Sequence, residues 1–363
     1  MIPLIETGGS WRNIGYDVGR EVRAQLQEAA ASTRAELGGI EPEAVLGNIG
    51  PYLRATEEAA PDIVAELHGM AEGSGVPFET LFVLNASAEL VQSLGRFECT
   101  VAGVSGAGTS DGHVLLAHNE DATAGWGDLA YIIKAEPDDA LPFVAFTYAG
   151  LLLHQGVNSA GLGSVGNALY ARDARPGIPK LLLYRRAIVQ PTIEGAIRAV
   201  TDARRAFGNN HLLATADGDL YDIEVSGSKW AMKPGRNGFM AHANHFTLPG
   251  MTDLDREEDL LNSRLRQTRV ETLLERQWGR LDPFSLRVLM ADHANYPRSL
   301  CKHHAPESDL DYGTIGSVVI DVTARMLWAC SGNPCRGEWR EVSLAATTID
   351  RSRVDTPSSA LVS

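Results

Sequence analysis

Apolar residues in the first hundred positions recur at the three- and four-residue spacing of amphipathic helices. Residues 14–37 carry such a stripe and end before Gly38, a residue that commonly stops a helix. Residues 61–72 begin with proline, which favours a helix start, and residues 77–93 carry a third apolar stripe. The pattern therefore predicts a helical segment ahead of residue 98.

From Cys99 onward the pattern changes to short apolar runs separated by turn residues, which is typical of strands. The predicted strands are residues 99–105, 113–118, 130–135, 143–148, 151–157, 161–165, 211–216, 220–225, 230–232, 239–243, 314–322 and 325–329. Helices are predicted in pairs, at residues 180–189, 192–204, 256–277 and 283–292. Runs of antiparallel strands with paired helices between them favour an α+β fold in which two sheets pack face to face with helices outside.

The charge balance excludes one class of partner. The chain has 46 acidic and 32 basic residues and a formal net charge of −14. Such an excess of negative charge does not suit a surface for nucleic acid or for an acidic membrane. Residues 1–98 hold 15 acidic and 6 basic residues and no lysine, so the composition also changes where the first cysteine appears.

The sequence favours a cytoplasmic protein without a membrane span. Its amino terminus lacks the basic and apolar regions of a secretory signal peptide. The uncharged stretch at residues 140–171 is interrupted by polar side chains and glycines, so it suits buried strands better than a membrane helix. Four cysteines are too few for a disulfide framework.

Several motifs with known chemistry occur only in weak form. Residues 161–166 match a Gly-x-Gly-x-x-Gly spacing, but no helix is predicted at the third glycine, as a nucleotide site requires. No Gly-x-Ser-x-Gly elbow occurs. Cys330 and Cys335 form one close pair without the second pair of a zinc ribbon. We therefore expect no metal and no cofactor, and structural or surface roles for the histidines at His242, His245, His293, His303 and His304.

Cys99 stands at the first position of a predicted strand, directly after the helical segment. A lone cysteine there is more often a small buried residue than a nucleophile. If the chain were cut before it, however, its new α-amine would have a pKa of about 7.7–8.0 and could act as base for its own thiol. Asn244, Asn119 and Asp121 are suitable side chains near strand ends for an oxyanion donor and for orienting the amine.

At this point the sequence resembles the penicillin acyltransferase family of amino-terminal-nucleophile (Ntn) hydrolases. Each motif is modest alone, but their order and spacing together are specific. The resemblance is carried by Arg96-Phe97-Glu98-Cys99-Thr100, His118-Asn119-Glu120-Asp121, Ile14-Gly15-Tyr16-Asp17-Val18-Gly19, His68-Gly69-Met70, Gly156-Val157-Asn158, His242-Ala243-Asn244-His245, Ser263-Arg264-Leu265-Arg266 and Asp292-His293-Ala294-Asn295-Tyr296-Pro297.

The resemblance implies a four-layer αββα sandwich and a precursor that cleaves its own Glu98–Cys99 bond. Residues 1–98 would form the α-segment and residues 99–363 the β-segment. The two would remain associated in one compact domain, which is compatible with a homo-oligomer. Cys99 would be nucleophile and, through its amine, base. Asn244 would supply the oxyanion amide, and Asp121 with Asn119 would hold the amine.

The same resemblance implies acyl transfer from a small N-acyl compound through a thioester on Cys99. Water as acceptor gives an amidase, which we favour over transfer from acyl-coenzyme A. Lys302, where the family's fungal penicillin enzyme has arginine, and Arg266 are expected to bind substrate, and Glu98 replaces the glycine of that enzyme. The alternative is an unprocessed, non-catalytic protein that binds a small molecule on the same fold.

Overall fold

The computed structural model describes residues 1–36, 42–90, 98–256, 260–304 and 312–344. The leading part forms β1 (Leu4–Gly9), α1 (Trp11–Glu21), α2 (Arg23–Glu36), α3 (Pro42–Ala59), α4 (Pro61–Ser74), α5 (Phe78–Asn85) and α6 (Ser87–Leu90). The predicted helix stop at Gly38 and two residues of the first motif, Arg96 and Phe97, lie outside the described residues.

The remainder of the chain alternates groups of strands with pairs of helices. Its first strands are β2 (Glu98–Val104), β3 (Leu115–Ala122), β4 (Ala130–Pro137), β5 (Phe143–Tyr148), β6 (Gln155–Asn158) and β7 (Leu162–Leu169). Next come α7 (Lys180–Ile188), α8 (Ile193–Thr201), β8 (Gly208–Thr215), β9 (Asp219–Val225), β10 (Trp230–Arg236) and β11 (Phe239–His242). The last elements are α9 (Leu261–Arg276), α10 (Pro283–Met290), β12 (Gly313–Asp321), β13 (Met326–Ser331) and β14 (Trp339–Ser343).

The strands form two sheets, in the orders β1-β4-β5-β6-β7-β8-β9-β10 and β11-β2-β3-β12-β13-β14. On β7, Gly163 lies against Val322 beside the smaller sheet, whereas Gly166 lies against Tyr184 of α7. The larger sheet therefore has the other sheet on one face and helices on the opposite face. Apolar residues of α9 and α10 pack on the outer face of the smaller sheet. These four layers confirm the predicted α+β sandwich.

The prediction of a purely helical leading segment is wrong at β1. This strand adds to the edge of the larger sheet by pairing in parallel with β4, whereas the other strand pairs in the two sheets are antiparallel. A six-residue strand is too short for periodicity to reveal, and its partner lies far along the chain. The helix α3 and the strand β14 were not predicted either. The strand predicted at residues 151–157 begins only at Gln155.

Two helices of the leading segment cross with their backbones almost in contact. A Cβ atom at Gly69 of α4 would lie 1.9 Å from the Arg12 carbonyl oxygen, and one at Gly15 of α1 would lie 1.9 Å from the Glu66 carbonyl oxygen. Only glycine permits such an approach. The glycines in two of the family-like motifs therefore serve the packing of α1 on α4.

The leading segment is joined to the rest of the chain by a buried ion pair. Arg185 of α7 is fully buried and donates to Glu66 of α4 through Nε, with 2.7 Å between Nε and Oε2. The Trp11 ring lies against the same guanidinium, 3.4 Å from its carbon to the ring centroid. Removing one partner of such a pair leaves a buried charge uncompensated, which is strongly destabilising. These contacts and the β1–β4 pairing support the prediction that both segments stay together.

None of the helices in the described ranges combines the length and the apolar character that crossing a bilayer requires.

Candidate active site

Cys99 is buried at the start of β2, and its backbone nitrogen is held by Asn244. The Cys99 N–H donates to Asn244 Oδ1 over 2.9 Å. Asn244 follows β11, the neighbour of β2, and its own backbone nitrogen donates to Ser263 Oγ of α9 over 2.7 Å. Its Nδ2 donates to the Ala168 carbonyl oxygen over 3.0 Å. Asn244 therefore contacts Cys99, the predicted nucleophile. In the uncut chain this contact is to the backbone nitrogen of Cys99.

Glu120 is the carboxylate that faces the Cys99 thiol. The two residues are partners in the β2–β3 register, and Cys99 Sγ donates to Glu120 Oε1 over 3.2 Å. Burial raises the pKa of Glu120 to about 8. Burial and the neighbouring Glu120 raise the pKa of the Cys99 thiol, while the backbone of Ala168 opposes the shift by hydrogen bonding. Beside them, burial lowers the pKa of His118 to about 3. Both Cys99 and Glu120 are therefore largely protonated at neutral pH.

Asn119 and Asp121 point to the opposite face of β3, because side chains alternate along a strand. Asn119 Nδ2 donates to the carbonyl oxygens of Met290 and Leu300 over 2.8 and 2.9 Å. Asp121 Oδ1 accepts from Thr314 Oγ1 over 2.6 Å, and Asp121 Oδ2 forms an ion pair with Lys302, whose Nζ lies 3.1 Å away. In the described part of the uncut chain, neither side chain makes the direct contact with the Cys99 amine that the resemblance implies.

The Glu98 carboxylate contacts Lys302 and Arg266, the two cations that were expected to bind substrate. Its Oε2 accepts from Lys302 Nζ, from Asn262 Nδ2 at 2.5 Å and from Arg266 Nη2 at 3.5 Å. Burial alone would raise the pKa of Glu98, but Lys302 and then Arg266 outweigh it and lower that pKa to about 2. In the uncut chain both cations are therefore ion-paired with the residue that precedes Cys99.

Arg266 also holds the backbone on the other side of the Glu98–Cys99 bond. Its Nη1 donates to the Cys99 carbonyl oxygen and to Thr100 Oγ1, the latter over 2.8 Å. Its Nη2 donates to Asn244 Oδ1 over 2.7 Å. The planar fork of arginine suits such divided contacts. Arg266 thus holds the backbone that follows the predicted scissile bond, and it also holds the side-chain amide of Asn244 that contacts Cys99.

A small, partly open pocket borders the Cys99 thiol and Glu120. Its further lining comes from Leu151, Leu153, Gly166, Ala168, Lys180, Leu181, Tyr184 and Asn209. Lys180 is 2% exposed, and its Nζ has no hydrogen-bond partner among the described residues. Burial lowers the pKa of Lys180, and the neighbouring Glu89 opposes the shift. The Tyr170 and Phe207 rings lie 5.4 and 5.3 Å from its Nζ. The pocket therefore presents a thiol, a carboxyl group and an unpaired amine to its contents.

Five residues predicted from the sequence lie together around the Glu98–Cys99 bond: Glu98, Cys99, Asn244, Arg266 and Lys302. Their roles stay predictions. Glu120 and Lys180 were not predicted. The signal for Glu120 was available, because pairing the two predicted strands in a hairpin sets Cys99 opposite it. Lys180 offered no such signal, since its position depends on how α7 packs against β7.

Two named proteins are similar to this chain in sequence. The acyl-coenzyme A:6-aminopenicillanic-acid-acyltransferase 40 kDa form of Emericella nidulans is 24% identical over 335 residues, which is 90% of this chain and 91% of that protein. The beta-alanyl-dopamine/carcinine hydrolase of Drosophila melanogaster is 25% identical over 223 residues, covering 56% of this chain and 58% of that protein.

Two solved structures are also similar to parts of the chain. Penicillin V acylase from Agrobacterium tumefaciens aligns at 15% identity with a TM-score of 0.45, covering 68% of this chain and 86% of that one. A variant of the conjugated bile acid hydrolase from Clostridium perfringens aligns at 12% identity with a TM-score of 0.45, covering 68% and 97%.

A sequence model described as acyl-coenzyme A:6-aminopenicillanic acid acyl-transferase matches residues 108–336, which is more than half of the chain. That match contains Asn119, Asp121, Asn244, Arg266 and Lys302 and begins after Cys99. The chain belongs to the acyl-coenzyme A:6-aminopenicillanic acid acyl-transferase family.

Proposed function

We propose that this protein is a self-processing cysteine amidohydrolase that uses Cys99 first on its own chain and then on small N-acyl substrates. The observation that carries the proposal is the buried Cys99 thiol in hydrogen-bond contact with Glu120 at the mouth of a pocket. A nucleophile within reach of a base is the arrangement that acyl transfer requires. Membership of the acyltransferase family supports the same chemistry.

Processing begins when Glu120 accepts the thiol proton of Cys99. The sulfur then attacks the Glu98 carbonyl carbon, and the Glu98–Cys99 amide bond breaks as its nitrogen takes up a proton. Water hydrolyses the resulting thioester between the Glu98 carbonyl and the Cys99 sulfur, which leaves a free α-carboxylate on Glu98 and a restored thiol and an α-amine on Cys99. Arg266 supports this step, because it fixes the Cys99 carbonyl while its charge lies beside Glu98.

The new amine then assists turnover of an external amide. Asn244 Oδ1 already accepts from the Cys99 nitrogen in the uncut chain, so we assign it to orienting the amine. Cys99 takes the acyl group as a thioester while the substrate's amine leaves with a proton, and water then releases the acid. We favour water over an amine acceptor because the Drosophila relative is named as a hydrolase.

The buried Lys180 indicates which acyl groups fit. Its amine lines the pocket beside Glu120 and has no hydrogen-bond partner in the described residues. A buried polar group without a partner is costly, and a substrate oxygen would remove that cost. We therefore assign to Lys180 the recognition of an acyl group that carries an oxygen acceptor, above all a carboxylate.

Processing is tested by intact mass spectrometry of the purified chain. We expect the wild type to separate into fragments of residues 1–98 and 99–363 that elute together under native conditions, and Cys99→Ala to remain full length. Cys330→Ala is the matched control, since this buried thiol lies outside the pocket, and it should process normally. A wild type that stays intact after long incubation would favour the non-catalytic binding protein instead.

The role of Glu120 predicts a pH dependence of processing. Below its pKa of about 8 the carboxyl group holds a proton and cannot accept another, so the rate should rise with pH toward that value. The charged or titratable groups that interact with it include Cys99, His118, Asp121, Tyr148, Lys180 and Tyr184. Loss of a general base typically costs about 10²–10⁴-fold in rate, so Glu120→Gln should process at least that much more slowly and lose the transition.

Asp121→Asn provides the comparison for Glu120→Gln, because Asp121 faces away from the thiol. It should retain the transition near the same pH, measured as the cleaved fraction over time at each pH. If Asp121→Asn removed the transition and Glu120→Gln kept it, the assignment of Glu120 would be wrong.

Lys180→Met tests the acyl preference. For N-acyl substrates whose acyl group ends in a carboxylate, we expect kcat/KM to fall by about 10–100-fold, the value of one charge-assisted hydrogen bond. The matched substrates with a neutral, apolar acyl group of equal length should lose much less. Equal losses on both substrate series would show that Lys180 does not select the acyl group.

A further inference from the structure

A second cluster of thiols and imidazoles lies outside the pocket. His293, Cys301 and His303 belong to the loop that follows α10, and Cys335 belongs to the turn between β13 and β14. One nitrogen or sulfur atom from each residue lies within 4.8 Å of those of the other three. Two loops distant in sequence thus bring four soft donor atoms to one point.

The spacing of these atoms matches a tetrahedron around a single ion. Zinc lies about 2.3 Å from sulfur and about 2.0–2.1 Å from nitrogen, so tetrahedral ligands are about 3.8 Å apart for two sulfurs and about 3.3 Å apart for two nitrogens. The Cys301 and Cys335 sulfurs are 3.7 Å apart, and the His293 and His303 Nε2 atoms are 3.0 Å apart.

The distances between a sulfur atom and a nitrogen atom agree with the same tetrahedral geometry. Zinc ligands of one sulfur and one nitrogen are about 3.6 Å apart in a tetrahedron. His303 Nε2 lies 3.4 Å from the Cys335 sulfur and 3.9 Å from the Cys301 sulfur. These four of the six pairwise distances are each within about 0.4 Å of the tetrahedral values, and the two from His293 to the sulfurs lie within 4.8 Å.

We propose that His293, Cys301, His303 and Cys335 form a structural Zn²⁺ site. Two cysteines and two histidines are a ligand set of closed, four-coordinate zinc sites. Each thiol loses its proton on binding, so two thiolates balance the charge of the ion. Asn333 Nδ2 donates to the Cys301 sulfur over 3.6 Å, which is the outer hydrogen bond that a metal-bound thiolate typically receives.

The site's position indicates what the ion stabilises. Lys302 lies between two of the ligands, and its amine contacts Glu98 and Asp121 beside the predicted scissile bond. The Lys302 backbone nitrogen donates to Thr314 Oγ1 over 2.9 Å, and its carbonyl oxygen accepts from Asn333. Zinc would tie the loop that carries Lys302 to the β13–β14 turn and thereby fix that cation.

Sequence analysis missed this site because its spacing is unusual. Cys330 and Cys335 are close in sequence, but the Cys330 sulfur approaches the carbonyl oxygens of Ser331 and Asn333, at 3.4 and 3.9 Å. Cys301 and His303, two residues apart, contribute together, which a search for paired Cys-x-x-Cys motifs does not detect.

The test is the zinc content of the full-length chain, measured by elemental mass spectrometry after reconstitution with equimolar ZnCl₂ and desalting. We expect one zinc per chain, and a rise in Tm on adding zinc to the chelator-treated protein. Replacement by Co²⁺ should give thiolate-to-metal charge transfer and the d–d bands of a tetrahedral ion. This readout does not depend on acyl transfer.

Matched variants separate this cluster from other thiols and imidazoles. His293→Ala and Cys335→Ser should lose the bound zinc and the zinc-dependent rise in Tm. His304→Ala, beside His303, and Cys330→Ser should retain both. Cys99→Ala should also retain zinc, which distinguishes this cluster from the group of Cys99, His118 and Glu120 in the pocket.

Three results would overturn the proposal. One is a wild-type chain that takes up no zinc while it is folded by circular dichroism. Another is zinc retained by both His293→Ala and Cys335→Ser. The third is a Cys301–Cys335 disulfide, found by peptide mapping without reductant, in protein prepared with zinc present.

Discussion

The arrangement around the Glu98–Cys99 bond depends on the contacts that the buried Arg266 guanidinium makes. It donates to the Cys99 carbonyl oxygen, to the Thr100 hydroxyl and to Asn244 Oδ1, and it lies beside the Glu98 carboxylate. A fully buried charge is stable only when it is paired and hydrogen-bonded. The same contacts that stabilise Arg266 therefore hold the bond, its flanking carboxylate and the orienting amide in one geometry.

Cleavage of the Glu98–Cys99 bond would change the charge balance among Glu98, Lys302 and Arg266. In the uncut chain Glu98 forms ion pairs with Lys302 and Arg266, the two cations that the sequence suggested for substrate. Once Glu98 became a chain terminus, its side chain would be free to leave them, which would open one contact of each cation to a ligand. Lys302 would keep its ion pair with Asp121, and Arg266 would keep its contacts to Cys99, Thr100 and Asn244. A substrate-binding role for Lys302 and Arg266 is therefore compatible with their contacts to Glu98, because the two roles would follow one another in time.

How much the sequence could predict depended on the range of the interactions. Local periodicity revealed most helices and the change to strands at Cys99, because amphipathic spacing is a local property. It missed β1, which depends on a distant parallel partner, and Glu120, which depends on cross-strand register. The resemblance identified Asn244 but assigned it to the oxyanion, whereas its contact in the uncut chain is with the Cys99 nitrogen. Lys180 and the four-residue thiol and imidazole cluster depend on how separate loops and helices pack, which no motif spacing encodes.

The central claim is that Cys99 carries the acyl group during turnover. The most direct measurement is intact mass spectrometry of the processed protein, quenched in acid during turnover of an N-acyl substrate and followed by peptide mapping. We expect an added acyl mass on the fragment of residues 99–363, located on Cys99 and removed by hydroxylamine. Turnover that proceeds with Cys99 alkylated, or an acyl group found on another residue, would contradict it.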